Sequence, residues 1–354
     1  MPGVTESSRM DTVLHALGLG GLVWSAATTM SGRNNNWLGD TACGRRVFVK
    51  QLVGTEAEIT NGFRRTEAFY RTPRPAPLRT TTLIGLDERL GVQVFDGLPE
   101  ARSGQEVMAA KDFGHALAAE AGAALGALHS AGSTRLAELE PSLPPLPREN
   151  PLLGLTQELF YDSSLGQLEA WRLVQQDGVI TDALGRLEDD AGNTVKVPVH
   201  GDVRLDQFLV SRDRLYLTDW EMYQLADPAR DVGAFVGEWL YHAVVDLLRE
   251  RTRAAGRLLP PPTIVLAPDR PPWMQARPGV AAFWRAYRAV QPELSRDVAA
   301  RAPSYVAWHL LERMLIDAQP RTGLDGTALT LFRTARTILL RHSDFTSILG
   351  LEPC

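Results

Sequence analysis

Cysteine is nearly absent: Cys43 and Cys354 are the only two in 354 residues, and neither sits in a Cys-x-x-Cys pair or a Cys/His cluster. That argues against a disulfide framework and a thiolate zinc site, and it fits a reducing cytoplasm. Long hydrophobic runs are missing as well. No stretch approaches the roughly eighteen uninterrupted apolar residues of a membrane span. The opening Met-Pro-Gly-Val-Thr-Glu-Ser-Ser has no basic segment leading into an apolar one, so neither export nor a membrane partner is expected. There is no excess of positive charge: a formal net charge of -5 and a pI near 5.9 give no reason to expect a nucleic-acid partner. No internal repeat is evident. What remains is an ordinary globular balance, 44% hydrophobic against 22% charged, in a chain long enough for two lobes that share an interface.

The first hundred residues read mainly as strands. Arg45-Arg46-Val47-Phe48-Val49-Lys50-Gln51-Leu52-Val53 is a short β-branched and aromatic run after a glycine, a strand from which Lys50 projects. Upstream, Ser31-Gly32-Arg33-Asn34-Asn35-Asn36 is rich in residues that tolerate turns, and it reads as a loop between two strands. Residues 56–71 form a short helix stopped by Pro73, Pro75 and Pro77, and 90–98 form a strand running into a turn. Ala-rich 112–130 is a buried helix. A proline-rich connector and an amphipathic stretch, Gln157 to Gln176, fill 131–197. A compact strand cluster covers 198–220, with Ser211-Arg212-Asp213-Arg214 as its turn. Beyond Pro228 the chain is almost wholly helical, around 231–255, 279–290, 296–319 and 327–342. The class is α+β.

The segment Val199-His200-Gly201-Asp202-Val203-Arg204-Leu205-Asp206-Gln207-Phe208-Leu209-Val210, followed by Leu217-Thr218-Asp219-Trp220-Glu221, carries the most chemistry. Phosphoryl transfer needs one carboxylate to orient and deprotonate the attacking hydroxyl, and oxygen ligands for the magnesium that bridges the nucleotide phosphates. Asp202 suits the first role and Asp219 the second. A lone His-Gly-Asp is weak, because loop aspartates commonly cap helices or make turns. Its pairing with Asp219 behind a strand is stronger.

These residues resemble the aminoglycoside phosphotransferase and choline kinase superfamily, whose pattern is His-Gly-Asp, an Asn five residues on, an apolar strand, and Ile-Asp-Trp or Ile-Asp-Phe. The resemblance implies a two-lobed protein-kinase-like fold that uses ATP and Mg2+, with residues 1–98 as the nucleotide lobe and 99–354 as the catalytic helical lobe. It implies Asp202 as catalytic base and Asp219 as metal ligand. Where the family has its metal-binding Asn this chain has Gln207, one methylene longer, with Asp206 beside it. Lys50 resembles the lysine that neutralises the nucleotide phosphates, with Glu67 as its implied ion-pair partner and Glu56 and Glu58 as rivals. Ser31, Gly32 and Asn34 resemble the nucleotide-positioning loop, and Phe95, Gly97 and Leu98 the hinge that meets adenine. His200 and Asp231 are read as scaffolding for the catalytic loop, because Asp202 already supplies the base. His129 reads as a packed or capping histidine, and Trp220, Trp239, Trp273, Trp284 and Trp308 as core.

The acceptor is less constrained. A small cationic antibiotic would need an acidic cluster, for which Glu238, Asp246, Glu293, Asp297, Glu312 and Asp317 are candidates spaced like ordinary helix faces. The segments 32–37, 44–50 and 94–104 resemble the stand-alone kinase subunits of class V lanthipeptide synthetases and thioamitide pathways. That resemblance implies phosphorylation of Ser or Thr in a precursor peptide, followed by elimination through a separate lyase. A third reading, suggested by Gln207, is a pseudokinase scaffold that binds peptide without turnover.

Overall fold

The computed structural model describes residues 4–30, 32–132, 154–256 and 272–352, together with 262, 264, 266 and 269. Helix α1 (Val4–Ala16) leads into an antiparallel sheet of β1 (Thr28–Met30), β2 (Asn35–Asp40), β3 (Arg46–Gln51), β4 (Leu83–Asp87) and β5 (Val92–Asp96), ordered β1-β2-β3-β5-β4. Helix α2 (Glu56–Arg71) lies between β3 and β4. Thr55 starts it with a reciprocal capping box to Glu58, which satisfies two otherwise orphaned amides.

The period-two alternation of β3 does the positioning work. Val47 and Val49 enter a small core with Met10, Leu14, Trp37, Val92 and Val94, which puts Phe48 and Lys50 on the opposite face, toward the second lobe. Register places Lys50 opposite Asn36 on one side and Gln93 on the other.

After β6 (Arg102–Ser103) and α3 (Gly104–Ala109) the chain becomes mainly helical. It continues through α4 (His115–His129), α5 (Gln157–Asp162), α6 (Leu165–Gln176) and α7 (Gly178–Gly192), then short strands β7 (Val197–Val199), β8 (Phe208–Ser211), β9 (Arg214–Leu217) and β10 (Gln224–Ala226). Helices α8 (Ala229–Ala255), α9 (Trp273–Val290), α10 (Ser295–Ala318), α11 (Gly326–Leu340) and α12 (His342–Leu349) complete the described fold. β10 pairs with β7, and β6-β8-β9 form a second small sheet, all antiparallel.

The large core joins α4 and α6–α12 and also takes in Ala68, Phe69 and Leu78 from the first lobe. Gly122 is the reason α4 and α9 approach so closely: a Cβ there would collide with the Phe283 carbonyl. All five tryptophans read as core are buried. The α+β arrangement matches the sequence reading, with local differences. Asn35 and Asn36 belong to β2 rather than to the loop. Helix α7 occupies ground read as connector, and α1 carries no strong period of its own. Most of the proline-rich connector lies outside the described residues.

Candidate functional site

A cleft of about 1120 Å³ opens between the lobes. One end is apolar, lined by Leu38, Phe48, Phe95, Leu98 and Leu209; the other is charged, lined by Lys50, Asp202, Arg204, Asp219 and Glu221. A flat aromatic base suits the first end and phosphates the second.

The His200-Gly201-Asp202 loop follows directly from β7. Gly201 adopts φ 83°, and a Cβ there would run into the Met222 carbonyl, so this turn requires glycine. Asp231, fully buried near the start of α8, accepts the backbone N–H groups of His200 at 2.7 Å and Gly201 at 3.0 Å. His129 Nε2–H donates to the same carboxylate at 3.2 Å, so the Tyr287 hydroxyl, 2.9 Å from Nδ1, donates to His129. Burial opposes the Asp231 charge, but these donors outweigh it and hold its pKa below the usual carboxylate range. His200 Nε2–H donates to the Thr218 carbonyl at 2.8 Å, and its Nδ1 accepts the Asp202 N–H at 3.3 Å. Both ring nitrogens are spent, which leaves no base function for His200. The Asp202 carboxylate, 40% exposed in the cleft, has Arg204 3.7 Å away.

Asp219 follows β9 in left-handed backbone, φ 69° and ψ 72°, a conformation aspartate tolerates better than most residues and one that clusters at functional sites. Its carboxylate accepts from Lys50 Nζ at 2.7 Å, and Glu221 forms a second ion pair with the same ammonium. Burial alone would lower the Lys50 pKa; the two carboxylates reverse that and raise it. Asp219 stays below its ordinary value despite burial, because Lys50 lies against it. Glu221 is pushed up by burial and by the Asp219 charge. Trp220 backs this segment, stacked on Phe69 with ring centroids 3.4 Å apart, and its Nε1 donates to Thr80.

Gln207 ends the turn Leu205–Gln207. Its backbone carbonyl accepts both the N–H and the hydroxyl of Thr218 at 2.9 Å, which ties it to the residue before Asp219. Its side-chain amide lines the cleft without a hydrogen bond to the described residues. Among those residues no three His, Cys, Asp or Glu side chains form a cation cage by themselves. The oxygens on offer are Asp219, Glu221 and the Gln207 amide. This hard-oxygen set fits a divalent ion that takes its remaining ligands from nucleotide phosphates and water.

One assignment is corrected. Glu67 does not meet Lys50: it pairs with Arg71 at 2.7 Å on the outer face of α2. Residues two apart on a helix lie about 200° apart, so burying Phe69 against Trp220 turns Glu67 to solvent. Glu56 lies in the first turn of α2, and Glu58 is engaged by the Thr55 cap. Glu221, which sequence reasoning passed over, takes the pairing; its only signal was its place two residues after Asp219. Gly32 lines the cleft. Asn34 also lines it, but its Nδ2 donates to Glu221 Oε1 at 2.8 Å and its Oδ1 accepts the Val53 N–H at 2.9 Å. Ser31 lies outside the described residues. Phe95, Gly97 and Leu98 line the apolar end, and the Gly97 N–H is already engaged by the Arg46 carbonyl.

Comparison with known proteins bears on the fold and the family. The structure of the choline kinase LicA from Streptococcus pneumoniae is similar, with TM-score 0.52 at 14% identity over 93% of this chain and 98% of that one. A choline/ethanolamine kinase family protein from Mesorhizobium loti gives 0.53 at 16% over 98% of each chain. The amicoumacin kinase hAmiN, solved in complex with AMP-PNP, Ca2+ and Ami, gives 0.52 at 13% over 94% of each. At these identities the likeness establishes the fold, a two-lobed kinase-like α+β architecture. No curated protein matches the chain. Residues 31–272 match the model of the phosphotransferase enzyme family. With that match spanning most of its length and Asp202, Asp219 and Glu221 inside it, the chain belongs to this family of kinase-type phosphotransferases.

Proposed function

We propose that the chain transfers the terminal phosphoryl group of ATP to an alcohol with the help of Mg2+, and that the acceptor is a Ser or Thr hydroxyl of a ribosomally made precursor peptide. The observation that carries the transfer reading is the meeting of Asp202 with Lys50, Asp219 and Glu221 in one cleft. Bound Mg-ATP would supply the phosphoryl group and part of the charge neutralisation. Lys50 would hold phosphate oxygens in place, and Asp219, with the Gln207 and Glu221 oxygens, would hold the cation. Asp202 would orient the acceptor hydroxyl and take its proton as the oxygen bonds to phosphorus and ADP departs. The related amicoumacin kinase, solved with a nucleotide analogue and a divalent ion, supports the cofactor pair.

The scatter of the acidic residues weighed for an antibiotic supports a peptide acceptor. Of the six acidic residues weighed as a polycation cluster, only Glu312 lines the cleft, and Arg204 and Arg230 line it too. Glu238 is tied to His309, Asp246 to Lys111 and Asp317 to Tyr241. That leaves most of the weighed cluster off the cleft wall, which supports the peptide reading. Phosphorylation would turn a poor leaving group into a good one for a separate lyase. The second reading, an antibiotic phosphotransferase, draws on the amicoumacin kinase likeness. Incubation with labelled ATP and Mg2+, against Ser/Thr-rich precursor peptides and against aminoglycosides, separates the two. A mass gain of one phosphate on peptide alone is expected. Gain on aminoglycoside alone overturns the peptide assignment, and gain on neither leaves a binding role.

A further inference from the structure

Glu238 takes no part in the chemistry above, yet it is a carboxylate on α8 with 2% of its surface exposed. Such a group is costly to bury unless both oxygens are matched. Here both are: Oε2 accepts the Leu205 N–H at 3.1 Å, and Oε1 accepts from His309 Nε2 at 2.8 Å, with the Arg313 guanidinium 3.5 Å from that oxygen. The partner on the catalytic side is the informative one. Leu205 opens the turn that ends in Gln207, and the middle residue of that turn, Asp206, holds Arg204 by two hydrogen bonds of 3.1 and 3.2 Å. The same turn is pressed from α3, where a Cβ on Gly104 would stand only 2.5 Å from the Leu205 carbonyl oxygen. The turn is thus held at the N–H of its first residue by Glu238 and at the carbonyl of its last by Thr218.

We propose that Glu238 is a positioning residue for the cation site, fixing the Leu205–Gln207 turn so that the Gln207 amide oxygen is presented at one place in the cleft. His309 and Arg313 hold the Glu238 carboxylate in the orientation that grips the turn. The inference rests on the reading of Gln207 as a cation ligand. An amide offers one neutral oxygen, and glutamine has one more rotatable bond than asparagine, so its affinity for a cation depends on how firmly its backbone is held. Groups that orient a ligand in this way commonly govern metal affinity about 10- to 100-fold.

The test uses the full chain as wild type, Glu238→Gln, His309→Gln, Gln207→Ala and the Glu238→Gln/Gln207→Ala double variant. Mn2+ binding is measured from the resonance of the free ion, with a non-hydrolysable ATP analogue present, and thermal unfolding is recorded without ligand. A glutamine at 238 has one oxygen for two donors, so the Leu205 N–H or His309 loses its partner. Glu238→Gln is expected to weaken Mn2+ binding about tenfold. Metal-free binding of the analogue should be unchanged, and the double variant should bind Mn2+ no more weakly than Gln207→Ala alone. Mn2+ binding within about twofold of wild type, alongside a lowered melting temperature, would reduce Glu238 to a structural residue and overturn the proposal. Full additivity in the double variant would overturn it too. If Glu238→Gln does not fold, His309→Gln decides by the same measurements. Normal Mn2+ binding by Gln207→Ala alone would instead overturn the ligand reading on which the inference rests.

Discussion

At the scale of single residues, two carboxylates of the cleft, Asp202 and Asp219, are held in different ways. Among the described residues the Asp202 carboxylate has only the longer 3.7 Å pairing with Arg204, whereas the Asp219 carboxylate is bound to Lys50 at 2.7 Å. Asp202→Asn is therefore expected to lower kcat by roughly 10²- to 10⁴-fold with little change in nucleotide affinity. Asp219→Asn should raise the Mg-ATP requirement as well, because it removes the charge that Lys50 and the cation share. Steady-state kinetics with calorimetric nucleotide titration checks the split, and wild-type-like turnover in either variant would contradict the roles. Glu238 governs stability by the same logic of matched charge. Burial opposes its ionisation, but His309 and Arg313 hold its pKa at about 2. A depressed folded-state pKa adds stability that is present above the ordinary value and lost as pH falls through the folded one, here about 3 kcal/mol at neutral pH. Urea unfolding should show Glu238→Gln less stable than wild type at pH 7, with the gap narrowing as pH falls from about 4.5 toward about 2.

At the scale of elements, α2 and α4 make contrasting demands. The Phe69 face of α2 reaches out of its own lobe to stack on Trp220, next to Asp219 and Glu221. Phe69→Ala is expected to cost about 3–5 kcal/mol and also to raise KM for ATP, since it loosens the backing of both carboxylates. Gly122 on α4 lies against the α9 backbone. Gly122→Ala should cost about 1–3 kcal/mol by overpacking while leaving KM unchanged in the folded fraction. If the two variants shift KM alike, α2 has no special tie to the site.

At the scale of the whole molecule, the lobes meet through charge across the cleft. Arg33, Asn34 and Lys50 of the first lobe converge on Glu221 of the second, and Lys50 also reaches Asp219. A nucleotide bound among these groups stabilises the fold by mass action, about 2.7 kcal/mol at a hundred times its Kd. Wild type should show that gain on addition of Mg-ATP analogue in thermal unfolding, and Asp219→Asn should show a smaller gain at equal concentration. Equal gains would mean that binding does not engage Asp219.

The amino-acid sequence alone determined whatever depends on neighbours in the chain. Alternation in Arg46–Gln51 set which face carries Lys50, and His200-Gly201-Asp202 and Leu217-Thr218-Asp219 are each three consecutive residues, so they can be read as motifs in order. Tertiary packing decided the partners. Whether Glu67 or Glu221 meets Lys50 depends on how α2 rolls when Phe69 is buried, and the bonds from His129 to Asp231 and from Glu238 to Leu205 join segments far apart in sequence. Local pattern specifies which way a side chain points from its own backbone; what it touches is settled only when separate elements compete for the same buried space.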